Sequence, residues 1–211
     1  MKLICFDMDN TLIRSNMSHA VAFNKALEKY GFKKMNAKEM GKYFGRPKEE
    51  VVKAIAKNID KKTIRKIIDY HDNILFRYAR IYNRKVRGVE GVLKFLKKKY
   101  KIGIVSNCKH SNIKTLLSAS DLNYRLFDVF VGNDDVKHSK PYPDEILKAE
   151  KLLHVKAECM IGDSIYDVRA GKKAKIKTVA ILSGVYTRNM LKKEKPDFIL
   201  KDIKELKNIE I

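Results

Sequence analysis

Two hydrophobic rhythms divide the chain. From Ser18 to about Tyr82 apolar residues return every three or four positions, the spacing of helices that bury one face. Phe23, Ala26, Leu27 and Tyr30 share such a face, and Gly31 supplies a stop. Asn36 followed three residues later by Glu39 reads as a helix cap. Pro47 opens a further helix bearing Val51, Val52, Ile55 and Ala56. Ile64, Ile67, Ile68, His71, Ile74, Leu75 and Tyr78 then trace one long stripe, on which His71 reads as a core or partly buried histidine rather than a ligand. After Gly88 short apolar runs take over: "IGIVS" (Ile102–Ser106), "FDVFV", "CMIG", "TVAIL" and "DFIL". Helical stretches separate them: "GVLKFLKKKY", Ser111–Ala119, Pro143–Leu153 and Tyr166–Lys173. Strands alternating with helices predict a parallel sheet with helices on both faces. Leu3–Phe6 belongs to that sheet by character, although about seventy helical residues follow it. The expectation is an α/β core formed by residues 1–14 and 88–211, with an all-helical insert over residues 15–87.

Composition narrows the class. The 211 residues, 45% of them apolar, are enough to bury a sizeable core and argue against disorder. No apolar run approaches the ~20 residues that span a bilayer. The first residues enter strand-like sequence without the charged, apolar, small-residue order of a signal peptide, so a soluble, cytoplasmic protein is expected. Cys5, Cys108 and Cys159 show no metal-like or paired spacing and are read as buried space-fillers. The net charge is +21, and residues 15–87, with 19 basic against 7 acidic residues, hold +12 of it. Such a charge attracts anions, whether nucleic acid or a small phosphorylated metabolite. Lysine-rich runs such as "LKKKYK" are equally the solvated faces of helices.

Ligands of open parallel sheets bind beyond the carboxyl ends of the strands. Those ends carry Asp7 and Asp9, Ser106 and Asn107, Lys140 in "HSKPYPD", and Asp163 and Ser164 with Asp167 just beyond. Converging carboxylates repel unless a hard cation lies among them, and oxygen ligands with open water positions suit Mg²⁺. A serine, a lysine and backbone N–H groups beside such an ion would cradle a phosphoryl group. One carboxylate can then attack phosphorus while a second moves protons.

These residues resemble the haloacid dehalogenase superfamily on its phosphatase branch. "DMDNT" (Asp7–Thr11), Ser106-Asn107, Lys140-Pro141 and "GDSIYD" (Gly162–Asp167) match its four motifs in order. The phrases "RGVEGVLKFL" and "DVRAGKKA" extend the similarity over almost the whole chain. The resemblance implies a Rossmann-like core with an inserted all-α cap. It implies Asp7 as nucleophile and Mg²⁺ ligand, and Asp9 as proton carrier whose backbone carbonyl touches the metal. Ser106 and the backbone of Met8, Asp9 and Asn107 would hold phosphoryl oxygens, Lys140 would stabilise the transferred charge, and Asp163 and Asp167 would complete the Mg²⁺ site.

Two departures and one loop bear on the substrate. Asn10 stands where relatives commonly have Gly, and Asn tolerates a left-handed backbone. Arg14 stands where relatives often carry an acid, at the hinge into the insert, where it would either alter closure of the insert or add an anion contact, and it weakens any transfer of substrate from those relatives. The insert resembles the cap of phosphoglycolate-phosphatase-like and phosphoglucomutase-like relatives, whose loop matches "YFGRPKEE" (Tyr43–Glu50) and makes Arg46 and Lys48 candidates for the substrate's anionic end. The reading is therefore a phosphatase of a small phosphorylated metabolite, phosphoglycolate being the named substrate, acting as monomer or homodimer. A β-phosphoglucomutase-type phosphoryl transfer is the alternative. Dehalogenase relatives lack the second aspartate supplied here by Asp9, and nothing around Lys53 marks it as the Schiff-base lysine of a phosphonate hydrolase. Nucleic-acid binding with a vestigial site is disfavoured, because no base-stacking motif occurs.

Overall fold

A computed structural model describes residues 1–56 and 58–211. The first strand, β1 (Lys2–Phe6), leads through a tight loop to β2 (Ile13–Arg14) and four helices. These are α1 (Asn16–Lys29), α2 (Ala37–Gly41), α3 (Lys48–Ile55) and α4 (Lys61–Tyr82). The short β3 (Arg84–Lys85) then returns antiparallel to β2, Ile13 facing Lys85 and Arg14 facing Arg84. The rest alternates strictly: α5 (Val89–Leu96), β4 (Tyr100–Ser106), α6 (His110–Ala119), β5 (Val129–Gly132), α7 (Asp144–Leu153), β6 (Ala157–Gly162), α8 (Ile165–Lys173), β7 (Lys177–Ile181), α9 (Arg188–Lys193) and β8 (Phe198–Leu200).

Six strands form one parallel sheet in the order β5-β4-β1-β6-β7-β8. Leu3 to Phe6 have no exposed surface, as a strand with neighbours on both edges and helices on both faces requires. Alternate side chains serve the two faces. Ile4 and Phe6 join Ile102, Ile104, Ile161 and Val179 with Val92 and Leu93 of α5 and Leu116 of α6. Leu3 and Cys5 join Val105 and Met160 with Ile146 and Ala149 of α7 and Ala170 of α8. Each fully buried Leu, Ile or Phe contributes roughly 1.5–3 kcal/mol by leaving water. The chain order runs outward from β1 to β4 and β5 on one side and from β6 to β8 on the other. Its reversal beside β1 is the switch point at which open α/β sheets leave a crevice.

The four helices between β2 and β3 have their own apolar cluster, in which Phe23 and Leu27 of α1 meet Val51 and Val52 of α3 and Ile64 and Ile67 of α4. Asn36 accepts the Glu39 N–H at the start of α2, and Asp60 accepts those of Lys62 and Thr63 at the start of α4. The long stripe on α4 serves two cores, because Leu75 and Ala79 at its far end pack into the sheet cluster. His71 lies between these halves, fully buried. The helix α9 and the two-residue strands β2 and β3 lie outside the sequence expectation, being too short to show a period.

Candidate active site

β1 stops apolar at Phe6, but the chain stays tied to the sheet one residue longer, the Asp7 N–H donating to Ile161 O at 2.8 Å. The loop beyond is pinned by bonds from Leu12 and Ile13 N–H to Met8 O and from Asn10 N–H to Ile13 O. Asn10 turns it with a left-handed φ of 60°. Asp7 is thereby fixed at the carboxyl end of a central strand. Lys140 arrives from the segment before α7, 2% exposed, and donates to Asp7 Oδ1 at 2.6 Å, Asp167 Oδ1 at 2.7 Å and Val105 O at 3.0 Å.

Ser164 caps α8. Its N–H and hydroxyl donate to Asp167 Oδ2 at 3.0 and 2.6 Å, and its Oγ accepts the Asp167 N–H. Asp167 therefore spends one oxygen on the helix start and the other on Lys140. Asp163 lies at the end of β6, where Thr11 Oγ1 reaches its Oδ1 at 3.4 Å. Two glycines make room for these acids: a Cβ on Gly162 would stand 2.3 Å from Asp167 Cγ, and one on Gly184 1.6 Å from Asp163 Oδ2.

Carboxylate oxygens of Asp7, Asp163 and Asp167 lie within 4.8 Å of one another, and all three residues are buried. Burial pushes the Asp7 carboxyl up to about 8 against the pull of Lys140, and repulsion from Asp167 and Asp9 adds to it. Burial and the charges of Asp7 and Asp167 hold Asp163 well above the usual carboxylate range. Lys140 is held above the usual range, since Asp167 and Asp7 outweigh its burial. One ammonium against three acids leaves a negative excess, and Asp7 and Asp163 face it with oxygen donors uncommitted to a helix cap. That donor set fits a hard divalent cation.

The Asp9 carboxylate points away from this cluster. Its Oδ1 accepts from Ser15 Oγ at 2.6 Å and lies 3.3 Å from His19 Nε2. Burial opposes its ionisation, but His19, Ser15 and Lys48 outweigh that and hold it below the usual range. Asp7, Asp9, Ser106, Asn107, Lys140 and Asp163 all line one cavity of about 80 Å³, roofed by His19, Phe44, Arg46 and Lys48 from the helical layer. Met8 is buried beneath the loop. Asn107 Oδ1 is buried without a partner among the described residues, and the Cys108 N–H bonds Ser106 Oγ at 3.2 Å. Burial pushes the Cys108 thiol up to about 12, so it stays a neutral filler of the wall.

Of the three candidate anion contacts, Lys48 is already bonded to Asp72, whereas Arg46 stands 5.5 Å over the Tyr43 ring. Arg14 is exposed on the β2–β3 ladder and lines a separate groove with Ser183 and Lys201. Sequence reasoning missed Ser15 and His19, whose only signal is a position four residues apart at the start of α1, facing the Asp9 loop. It also missed the contacts that seat the helices. Tyr166 Oη meets Glu50 Oε2 at 3.1 Å, and Gly45, with φ 84°, lies where a Cβ would stand 2.9 Å from the Tyr186 ring. Buried Glu145, pushed to about 7 by burial, lies near Lys140 without a side-chain hydrogen-bond partner among the described residues.

A parallel α/β sheet with an aspartate at the end of its central strand, a buried lysine, and two further acids at the end of the neighbouring strand and in the first turn of the helix that follows defines a hydrolase of the haloacid dehalogenase-like class. The chain belongs to that family: the model of the haloacid dehalogenase-like hydrolases matches residues 4–181. It is an enzyme of the phosphatase branch. A Caldanaerobacter subterraneus protein provisionally named pyrophosphatase PpaX is 32% identical over 209 residues, 98% of this chain and 93% of that one. Among solved structures, a haloacid dehalogenase-like hydrolase of Bacteroides fragilis superposes with a TM-score of 0.90 at 24% identity, covering 97% of this chain and 99% of that one. A Haemophilus somnus protein described as a phosphoglycolate phosphatase gives 0.83 at 21% identity, covering 99% and 97%. These two likenesses establish the fold. No described helix is long and apolar enough to cross a membrane.

Proposed function

We propose that the chain is a Mg²⁺-dependent phosphatase of a small anionic phosphoryl compound, working through a phosphorylated Asp7. The observation that carries this reading is the placement of Asp7 on the floor of the cavity, 2.6 Å from Lys140 Nζ, with Asp163 beside it and the Asp9 carboxylate turned aside toward Ser15 and His19. Two acids in one loop thus have different environments, and loading the site would set their roles: a bound cation would hold Asp7 ionised as the nucleophile, and the charge of a bound anion would raise Asp9 toward its protonated form as the proton carrier. Asp7 Oδ attacks phosphorus, the bond from phosphorus to the leaving oxygen breaks, and Asp9 supplies that oxygen with a proton. Asp9 then takes a proton from water, whose oxygen attacks the phosphorus and frees the Asp7 carboxylate. Lys140, Ser106, Asn107 and the Met8 and Asp9 backbone steady the phosphoryl oxygens. Mg²⁺ held by Asp7 and Asp163, with Asp167 bracing, would neutralise the remaining charge.

Residues 15–87 act as a cap in this reading, excluding water until Asp7 is phosphorylated. Because Asp72 engages Lys48, Arg46 is the better candidate to meet a second anionic group on the leaving side. Pyrophosphate and phosphoglycolate both carry one, and both are compact enough for an enclosed site. The name of the relative at 32% identity, a pyrophosphatase, supports pyrophosphate as the leading substrate in this reading. A mutase would use the same groups but return the phosphoryl group to a sugar. Phosphate release from pyrophosphate, phosphoglycolate, p-nitrophenyl phosphate and β-glucose 1-phosphate, with Mg²⁺ and with EDTA, tests this. Release that requires Mg²⁺ and vanishes in Asp7→Asn is expected, pyrophosphate being turned over fastest. Conversion of β-glucose 1-phosphate to the 6-phosphate with little free phosphate would replace hydrolysis by the mutase reading, and full activity of Asp7→Asn would sink the mechanism.

A further inference from the structure

Behind His19 a line of polar contacts continues into the helical layer. His19 Nδ1 lies 3.1 Å from His71 Nε2, His71 Nδ1 lies 2.9 Å from Asp72 Oδ1, and that same oxygen accepts from Lys48 Nζ. A neutral imidazole has one donor and one acceptor nitrogen, so the direction of the line can be counted from its far end. Asp72 takes the Lys48 ammonium and is held below the usual carboxylate range: burial opposes this, but the His71 bond and the Lys48 charge prevail. It is an ionised acceptor. His71 Nδ1 therefore carries the hydrogen of the 2.9 Å bond. His71 itself is fully buried, stacked on Phe23 at 4.0 Å between ring centroids, and burial drives its pKa down to about 3. It is neutral, and its Nε2 is a bare acceptor. His19 Nδ1 must then be the donor across 3.1 Å, so the 3.3 Å contact between His19 Nε2 and Asp9 Oδ1 holds one further proton, carried by the carboxyl or by a doubly protonated ring. The opposite tautomer of His71 would set two lone pairs face to face at Asp72.

We infer that His71 and Asp72 are positioning residues for the acid–base step, fixing the ring and tautomer of His19 so that its Nε2 meets Asp9 Oδ1. They do this from α4, whose far end is packed into the sheet core through Leu75 and Ala79. The loop after β4 joins in, Lys109 Nζ bonding Asp69 at 3.0 Å and lying 3.5 Å from Asp72 Oδ2. The surroundings of Asp9 thus depend on how the helices are seated. The inference rests on the reading of Asp9 as proton carrier.

Two measurements on the full chain test it. The first is single-turnover release of the leaving group, with Mg²⁺, from p-nitrophenyl phosphate and from an alkyl phosphate, in wild type, His71→Phe, His71→Asn and Asp9→Asn. An alkoxide needs a proton as it leaves and nitrophenolate does not. Both His71 variants should slow the alkyl phosphate about tenfold or more and p-nitrophenyl phosphate less than about threefold. Equal slowing of both substrates, the mark of a merely structural role, overturns the inference, as does slowing of neither. If Asp9→Asn fails to discriminate between the two leaving groups, the underlying reading of Asp9 is at fault and the inference falls with it. The second measurement needs no turnover: long-range ¹H–¹⁵N correlation of the histidine side chains should show His71 as the neutral Nδ1–H tautomer. The Nε2–H tautomer overturns the count.

Discussion

Replacing Lys140 by Met keeps an unbranched chain of similar length in the same slot but removes the ammonium. Two carboxylates, Asp7 at 2.6 Å and Asp167 at 2.7 Å, then lose their buried partner, and the Val105 carbonyl loses its donor. Breaking a buried ion pair from one side costs about 3–5 kcal/mol, and an orphaned buried acceptor about 1–3 kcal/mol more. Bond loss and relaxation overlap, so about 4 kcal/mol is expected in metal-free protein at pH 9.5, a large part of a typical domain's stability. The loss carries a pH signature. Burial already raises Asp7 to about 8 in the presence of Lys140, and removing the ammonium raises it further. A carboxyl whose folded value exceeds its unfolded one binds more protons folded than unfolded, so its penalty is relieved as pH falls. The gap between variant and wild type should therefore narrow as pH falls from 9.5 to 7, through the window above the wild-type value of about 8 and below the variant's raised one. Urea unfolding in EDTA at the two values, read as midpoints at unchanged slope, measures it. A loss below about 1 kcal/mol at pH 9.5, or a gap indifferent to pH, refutes the account of three acids balanced on one lysine.

Gly184→Ala places a methyl 1.6 Å from the present position of Asp163 Oδ2. The carboxylate must swing away, so the Mg²⁺ concentration giving half-maximal phosphate release should rise about tenfold or more, while the melting temperature changes little. Arg46→Gln should raise KM for pyrophosphate or phosphoglycolate well beyond its effect on p-nitrophenyl phosphate, which has no second anionic group; equal effects would remove Arg46 from the leaving-group side. Buried His71 titrates near 3 folded against an ordinary 6.5, so the unfolded chain binds the extra proton between these values and stability falls as pH drops through that window. Wild type should lose more urea resistance than His71→Phe between pH 7 and pH 4.5, and parallel losses would contradict the buried neutral imidazole.

The sheet and its acids were legible because each is written locally. A strand buried on both faces is a continuous apolar run, and the polar residue that ends it stands at the mouth of the crevice whatever the rest of the chain does. Asp7, Ser106 and Asp163 were readable in this way, whereas Lys140, in the segment between β5 and α7, was readable only through its motif. The surroundings of Asp9 were not, since they depend on contacts across long separations. His19 and His71 lie on different helices and meet only because α1 and α4 pack side by side. Periodicity put His71 on a buried stripe, which is where it lies, yet the stripe says nothing about a ring nitrogen facing another ring. Arg46 and Lys48 illustrate the same limit more sharply. They occupy one loop with one charge and are equivalent in sequence, but Asp72, a turn of packing away on α4, engages Lys48 and leaves Arg46 over Tyr43. Arg14, expected from the sequence to bear on the substrate, lies exposed on the ladder joining the helical layer to the sheet and outside the cavity lining. In the proposed reading, specificity and proton handling belong to the seating of α1, α3 and α4 on the strand ends, and variation in that seating would change either one while the acid cluster beneath stays the same.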